Sequence, residues 1–279
     1  MIKIVTDSTA YLPESTIRQH DIRVVPLYVH FGQEAYREGV ELSNEEFYAK
    51  LKESPELPTT SQPSPGDFFT VFKELADAGH EILTLTISSK LSGTWDSAMA
   101  ARAMLPDAHI EVIDSLSTSA GLQLMVEAAV EAVEEGATLQ EVADLIESIK
   151  PRMHVLFVVD TLEYLAKGGR IGNAKALLGT LFKVKPILFF HEGAIEPLEQ
   201  VRSKRKAHGH IVDLVAQYMD GKGPEARLVV TGALVPDEVQ VVKTALMEKL
   251  GCDEPTCASV GPVIGTHTGP GVVGVGAYC

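Results

Sequence analysis

The sequence predicts an α/β fold, with a parallel sheet and flanking helices in its first half and a mixed α/β arrangement in its second. Two observations carry this. Over residues 1–150 short apolar strands alternate with helical segments, the pattern of a parallel sheet with helices on its faces. Further on, His191-Glu192-Gly193 sits between two apolar runs as a hairpin turn, a signal that the first half is read as lacking. Lys150-Pro151 is the best boundary, because a helix stops ahead of proline. Two domains are therefore expected, 1–150 and 151–279.

The elements follow in order. Ile2 to Thr6 reads as a strand that runs into the polar turn Asp7-Ser8-Thr9. Pro13 opens a short helix to about His20, and Ile22 to Phe31 reads as one extended apolar segment. Ser43-x-x-Glu46 is a capping box that starts a helix to about Lys52. Ser64, followed by Pro65 and Asp67, caps another that ends at Gly79. Glu81 to Ser88 is a buried β-branched strand, Thr94 to Met104 a helix, and His109 to Asp114 the next strand. A long helix precedes Gly136, and Thr138-x-x-Glu141 caps the one after it. In the second half Val155 to Val159 is a strand, and two short helical pieces flank Gly168-Gly169. Val184 to Phe190 and Ile195 to Glu199 form the hairpin. A helix from Ser203 to Met219, a strand from Arg227 to Thr231 and a helix from Asp237 to Leu250 complete it, ahead of a tail where valine alternates with glycine.

Composition narrows the function. The 279 residues are 45% hydrophobic and 22% charged, enough for a packed core and too apolar for a disordered chain. No apolar run reaches the roughly 18 residues of a membrane span. The opening MIKIVTDST reads as a strand rather than a secretory leader, so a cytoplasmic location is expected. Three cysteines, Cys252, Cys257 and Cys279, argue against a disulfide framework, and C-x4-C is not a zinc knuckle. A net charge of −14 argues against nucleic acid or an anionic membrane as partner, although it leaves room for a small anion met by local donors.

Three loops after strands are rich in hydroxyls: Thr6-Asp7-Ser8-Thr9, Pro58 to Phe68, and Ile87 to Thr94. In a parallel sheet, ligands bind where such loops feed helix N-termini. Their hydroxyls and free N–H groups suit a carboxylate or phosphate. They also suit plain helix capping, which accounts for Ser64 fully but for only one hydroxyl each around Thr60-Ser61 and Ser92-Gly93-Thr94. Gly93 would let a ligand approach the backbone closely.

The stretch from Lys167 to Lys206 holds nine basic residues and three acids, a local +6 in an acidic chain. Lys204 to Lys206 read as a solvated helix face. Arg170 follows Gly168-Gly169 on a tight loop, a position that suits phosphate recognition. His267, in GTHTGPG, reads as a loop histidine that either points into a cleft or is satisfied locally. No Walker A motif, G-x-G-x-x-G, H-E-x-x-H or G-x-S-x-G is present.

Six blocks resemble one family in order along the whole chain: TDSTAYLP from Thr6, PTTSQPSPGDF from Pro58, ISSKLSGTWDSA from Ile87, DTLEYLAKGGRIG from Asp160, KVKPIL from Lys183 and GTHTGPGVVGV from Gly265. On these the chain is identified as a member of the DegV family, which is similar to the fatty-acid-binding subunit, FakB, of bacterial fatty acid kinase. The resemblance implies a two-domain DegV-like fold with a long-chain fatty acid between the domains. It implies a carboxyl group held by Thr60, Ser61, Ser92 and the Gly93 backbone, with His267 and Arg170 beside it. It also implies a carrier without catalysis, metal or cofactor, serving a separate ATP-binding kinase subunit docked near Arg202 and Arg205. The competing expectation is a stand-alone phosphotransferase or hydrolase that uses Arg170, His267 and Asp7.

Overall fold

The computed structural model describes residues 1–178 and 184–279. Lys183, one of the nine basic residues and the start of the KVKPIL block, lies outside the described residues. The first half runs β1 (Ile2–Asp7), α1 (Glu14–Gln19), β2 (Arg23–Val25), β3 (Tyr28–Phe31), β4 (Glu34–Arg37), α2 (Asn44–Glu53), β5 (Thr59–Ser61), α3 (Pro65–Asp77), β6 (Glu81–Thr86), α4 (Thr94–Ala103), β7 (Ile110–Asp114), α5 (Ala120–Glu134) and α6 (Leu139–Ile149). The second half runs β8 (His154–Val158), α7 (Glu163–Lys167), β9 (Lys185–His191), β10 (Ala194–Val201), α8 (Lys204–Tyr218), β11 (Arg227–Gly232), α9 (Pro236–Leu250), β12 (Thr256–Ser259), α10 (Pro262–Thr268) and β13 (Val273–Tyr278).

Helices α2, α3 and α6 start where the sequence predicts. Ser43, Ser64 and Thr138 each accept the N–H three residues on, and Glu46, Asp67 and Glu141 return the bond, so all three capping boxes form. Strands β2, β1, β6 and β7 form the expected parallel sheet. A mixed six-stranded sheet, in the order β10-β9-β8-β13-β11-β12, makes up the second half. Its hairpin turns at Glu192-Gly193, both at positive φ, as a type I′ turn requires.

Three expectations are corrected. The extended segment from Ile22 to Phe31 is two strands, because Pro26 lacks the N–H that a ladder needs. β2 stays in the parallel sheet, whereas β3 joins a separate antiparallel sheet in the order β4-β3-β5. The first half therefore does contain a hairpin, β3–β4, whose turn signal was Gly32 at positive φ followed by Gln33. His267 is not on a loop: Pro262 starts α10, which carries it to Gly269 at φ 71°.

Helix α5 is the centre of the molecule. Eleven of its fifteen residues are buried, against water on almost no side. Met125, Val126 and Ala129 pack with Leu83 and Leu85 of the parallel sheet. Ala120 and Leu124 pack with Val229 of the mixed sheet. The small antiparallel sheet leans the other way: Leu27 and Val29 share a core cluster with Phe157, Leu165 and Val263. Among the described residues no helix is long and apolar enough to cross a membrane.

Candidate functional site

A cavity lies between the parallel and mixed sheets. Its walls are largely apolar, with Ile87, Leu91, Phe157, Leu165, Val263 and Ile264 among them. Gly274 leaves room in the floor, where any side chain would press on Phe157 and Thr231. Polar residues from several elements meet this apolar space.

The first is β5. Thr60 and Ser61 were expected on a loop after a parallel strand, and they lie instead on an edge strand, paired with Val29 and Tyr28 of β3. Neither residue caps a helix. Thr60 Oγ1 lies 2.8 Å from His267 Nε2, and Ser61 Oγ lies 2.8 Å from His30 Nε2. The second element is the connection from β6 to α4, where Ser92 Oγ lies 2.9 Å from Thr94 Oγ1. Gly93 is the N-cap of α4, so no side chain caps that helix. Gly93 is not part of the cavity wall; a Cβ there would meet Gln62 Nε2 at 2.9 Å, and Gln62 lines the cavity in its place.

Arg170 supplies the cation. Its Nε donates to Leu91 O at 3.1 Å and its Nη1 to Gly168 O at 2.7 Å, which fixes the guanidinium at the cavity wall. Among the described residues no carboxylate lies within ion-pair reach of it. Burial, with Arg170 as a lesser cause, pulls His267 down to about 4. His267 is thus neutral near pH 7, with one ring nitrogen to donate and one to accept. A Cβ at Gly168 would strike its Nδ1 at 2.2 Å, so only glycine leaves space for the ring. Thr60, Ser61, Ser92, His267 and Arg170 all line the one cavity. Fixed donors beside an apolar space suit a carboxylate on an apolar body.

A second group holds α10 in place. Glu38 is 4% exposed, and its Oε1 accepts the N–H of Val263 at 2.7 Å and the Tyr11 hydroxyl at 3.1 Å. Ser8 Oγ donates to its other oxygen, and Tyr11 in turn accepts the N–H of Ile264 at 3.2 Å. Asp7 has a structural task as well. Its carboxylate accepts from Thr9 and from the N–H of Ile87, and it does not line the cavity.

Arg202 and Arg205 are exposed at the end of β10 and the start of α8, away from the cavity wall. Lys204, expected on a solvated face, is instead held between Asp160 at 3.3 Å and Glu238 at 2.9 Å. Sequence reasoning also missed Gln62, Thr118, Ser119, Thr268 and Glu38. For Thr118 and Ser119 the signal was present, since Ser115 to Ser119 is another hydroxyl-rich strand-to-helix junction. Nothing in the sequence marked Glu38.

A parallel sheet, a mixed sheet and a cavity between them, largely apolar but lined also by one cation, an imidazole, an amide and several hydroxyls, define a ligand-binding α/β protein. The chain belongs to the DegV family: the family described as uncharacterised protein, DegV family, matches residues 1–279. It is 40% identical over 279 residues to a DegV domain-containing protein of Halalkalibacterium halodurans, covering 99% of this chain and 98% of the relative. A DegV family protein from Thermus thermophilus, described by its fatty acid binding, superimposes with a TM-score of 0.93 at 38% identity, covering 99% of both chains. A stearic acid-binding protein from Eubacterium ventriosum superimposes with a TM-score of 0.93 at 29% identity, covering 100% of this chain and 98% of its own.

Proposed function

We propose that this chain binds a long-chain fatty acid in the cavity between its halves, 1–150 and 151–279. The carboxyl group lies among Thr60, Ser61, Ser92, His267 and Arg170, with the backbone at Gly93 behind them. One observation carries the reading: the only cation on the cavity wall among the described residues, Arg170, is fixed by backbone carbonyls beside an apolar space and has no carboxylate partner. The fatty-acid-binding relatives point the same way.

The energetics are favourable. About 14 buried methylenes gain roughly 11 kcal/mol at ~0.8 kcal/mol each. A carboxylate buried without partners would forfeit several kcal/mol of that, so donors at the polar end are needed.

The carrier then presents its carboxyl group to a separate ATP-dependent fatty acid kinase subunit, which docks on the basic face at Arg202 and Arg205. No catalytic residue, metal or cofactor of its own is required.

The test is direct. Purified protein is denatured and extracted with organic solvent, and the extract is analysed by mass spectrometry. A long-chain fatty acid is expected. Its absence, together with no uptake of added palmitate or oleate, would sink the reading. Incubation of the lone protein with ATP and fatty acid should yield no acyl phosphate; turnover without a partner would overturn the carrier role.

A further inference from the structure

The cavity has a second polar region that the carboxyl group does not use. It lies at the N-terminus of α5. Thr118 and Ser119 line the cavity at 4% and 8% exposure. Neither Thr118 Oγ1 nor Ser119 Oγ has a hydrogen-bond partner among the described residues. Ser119 is the N-cap of a fifteen-residue helix, but its hydroxyl accepts no N–H of that helix. The backbone around both residues is fixed. Ser119 N–H donates to Thr9 O at 2.9 Å, Gly121 N–H to Thr118 O at 3.2 Å and Gln123 N–H to Ser119 O at 2.8 Å. The backbone bonds therefore hold both residues in place at the cavity wall. Buried hydroxyls of this kind find partners in folded proteins, and the positive end of a helix adds to their pull on an oxygen lone pair.

This region is set apart from the first. His267 leaves α10 just ahead of β13, and Val272 and Gly274 then line the cavity in succession. Ala120 sits over Gly276, further along the same strand. From Val272 to Gly276 an extended chain advances about 13 Å. The cavity thus follows β13 from the His267 end toward the start of α5.

We infer that Thr118 and Ser119 bind an oxygen carried on the acyl chain away from its carboxyl group, so that hydroxy fatty acids are preferred ligands. This rests on the fatty-acid reading of the same cavity. A plain alkyl chain leaves both hydroxyls unmet, whereas a chain hydroxyl at the right carbon satisfies them as donor or acceptor.

The experiment uses delipidated protein with equimolar stearate and a series of hydroxystearates that differ in hydroxyl position. Bound acids are extracted and quantified by mass spectrometry. At least one isomer should be enriched about tenfold over stearate, the worth of a met against an unmet buried hydrogen bond. The double variant Thr118→Val, Ser119→Ala should take up stearate and show no enrichment. If no isomer outcompetes stearate, or if enrichment survives in that variant while stearate binds, the inference is overturned and the carrier reading stands. If neither stearate nor any hydroxystearate binds, the carrier reading falls and this inference falls with it.

Discussion

The carboxylate of Glu38 accepts the backbone N–H of Val263 at 2.7 Å, across 225 residues of chain. That bond joins the β4 end of the small sheet to the first turn of α10, the helix that carries His267. Burial raises Glu38 to about 7 and Asp7 to about 6. A raised acid binds its proton more tightly in the folded state. The stability it contributes is fully present below the unfolded value and is lost as pH rises through the folded one. For Glu38 the change runs from 4.5 to about 7 and is worth roughly 3 kcal/mol. Glu38→Gln should therefore flatten the decline of the thermal midpoint between pH 5 and 8. An unchanged slope in calorimetry would remove Glu38 from this account.

His267 has the opposite sign. Its folded value of about 4 lies below the ordinary 6.5, so its contribution is full above pH 6.5 and is lost as pH falls toward 4. Arg170 is one cause of that depression. Arg170→Gln should move the titration of His267 upward, followed by NMR of the ring carbons. The same variant should bind stearate less well by about ten- to a hundredfold, the loss of a charge-assisted bond, while octadecanol binding is unchanged. Equal losses for acid and alcohol would mean that Arg170 acts on shape rather than on charge.

Thr60→Val keeps the size of the side chain and removes its bond to His267. Ser92→Ala removes a second hydroxyl. Each should weaken fatty acid retention by about 1–3 kcal/mol, the cost of an unmet buried polar group. Competitive uptake of labelled palmitate measures it. Wild-type retention in both variants would take the carboxyl group away from these residues.

At Gly276 an added Cβ would meet Ala120 Cβ at 2.8 Å and its carbonyl carbon at 2.9 Å. Gly276→Ala should push α5 off the mixed sheet and cost about 1–3 kcal/mol by overpacking. A thermal midpoint equal to that of the wild type would show that the helix yields without strain.

The sequence made the parallel sheet legible because local signals and tertiary packing agree there. Capping boxes at Ser43, Ser64 and Thr138 mark helix starts without help from distant residues. The hydroxyl loops and the Gly168-Gly169-Arg170 turn were visible for the same reason. The small sheet was not, because β3 and β5 are short and lie about thirty residues apart in the chain, paired Val29 to Thr60. Pro26 was the local clue that one strand ends and another begins. His267 was misplaced because glycines on both sides suggested a loop, and only Pro262 and the remote Glu38 bond account for a helix. A single acidic residue that caps a helix two hundred residues away leaves no pattern to read.

Helix α5 is covered on opposite sides by the two larger sheets. Its apolar surface belongs to both cores at once, so loss of either sheet strips the helix of half its cover and weakens the other. Cooperativity is thereby built into one element: the chain should melt as one unit, and calorimetry should show a single transition with equal calorimetric and van't Hoff enthalpies; two resolved transitions would count against it.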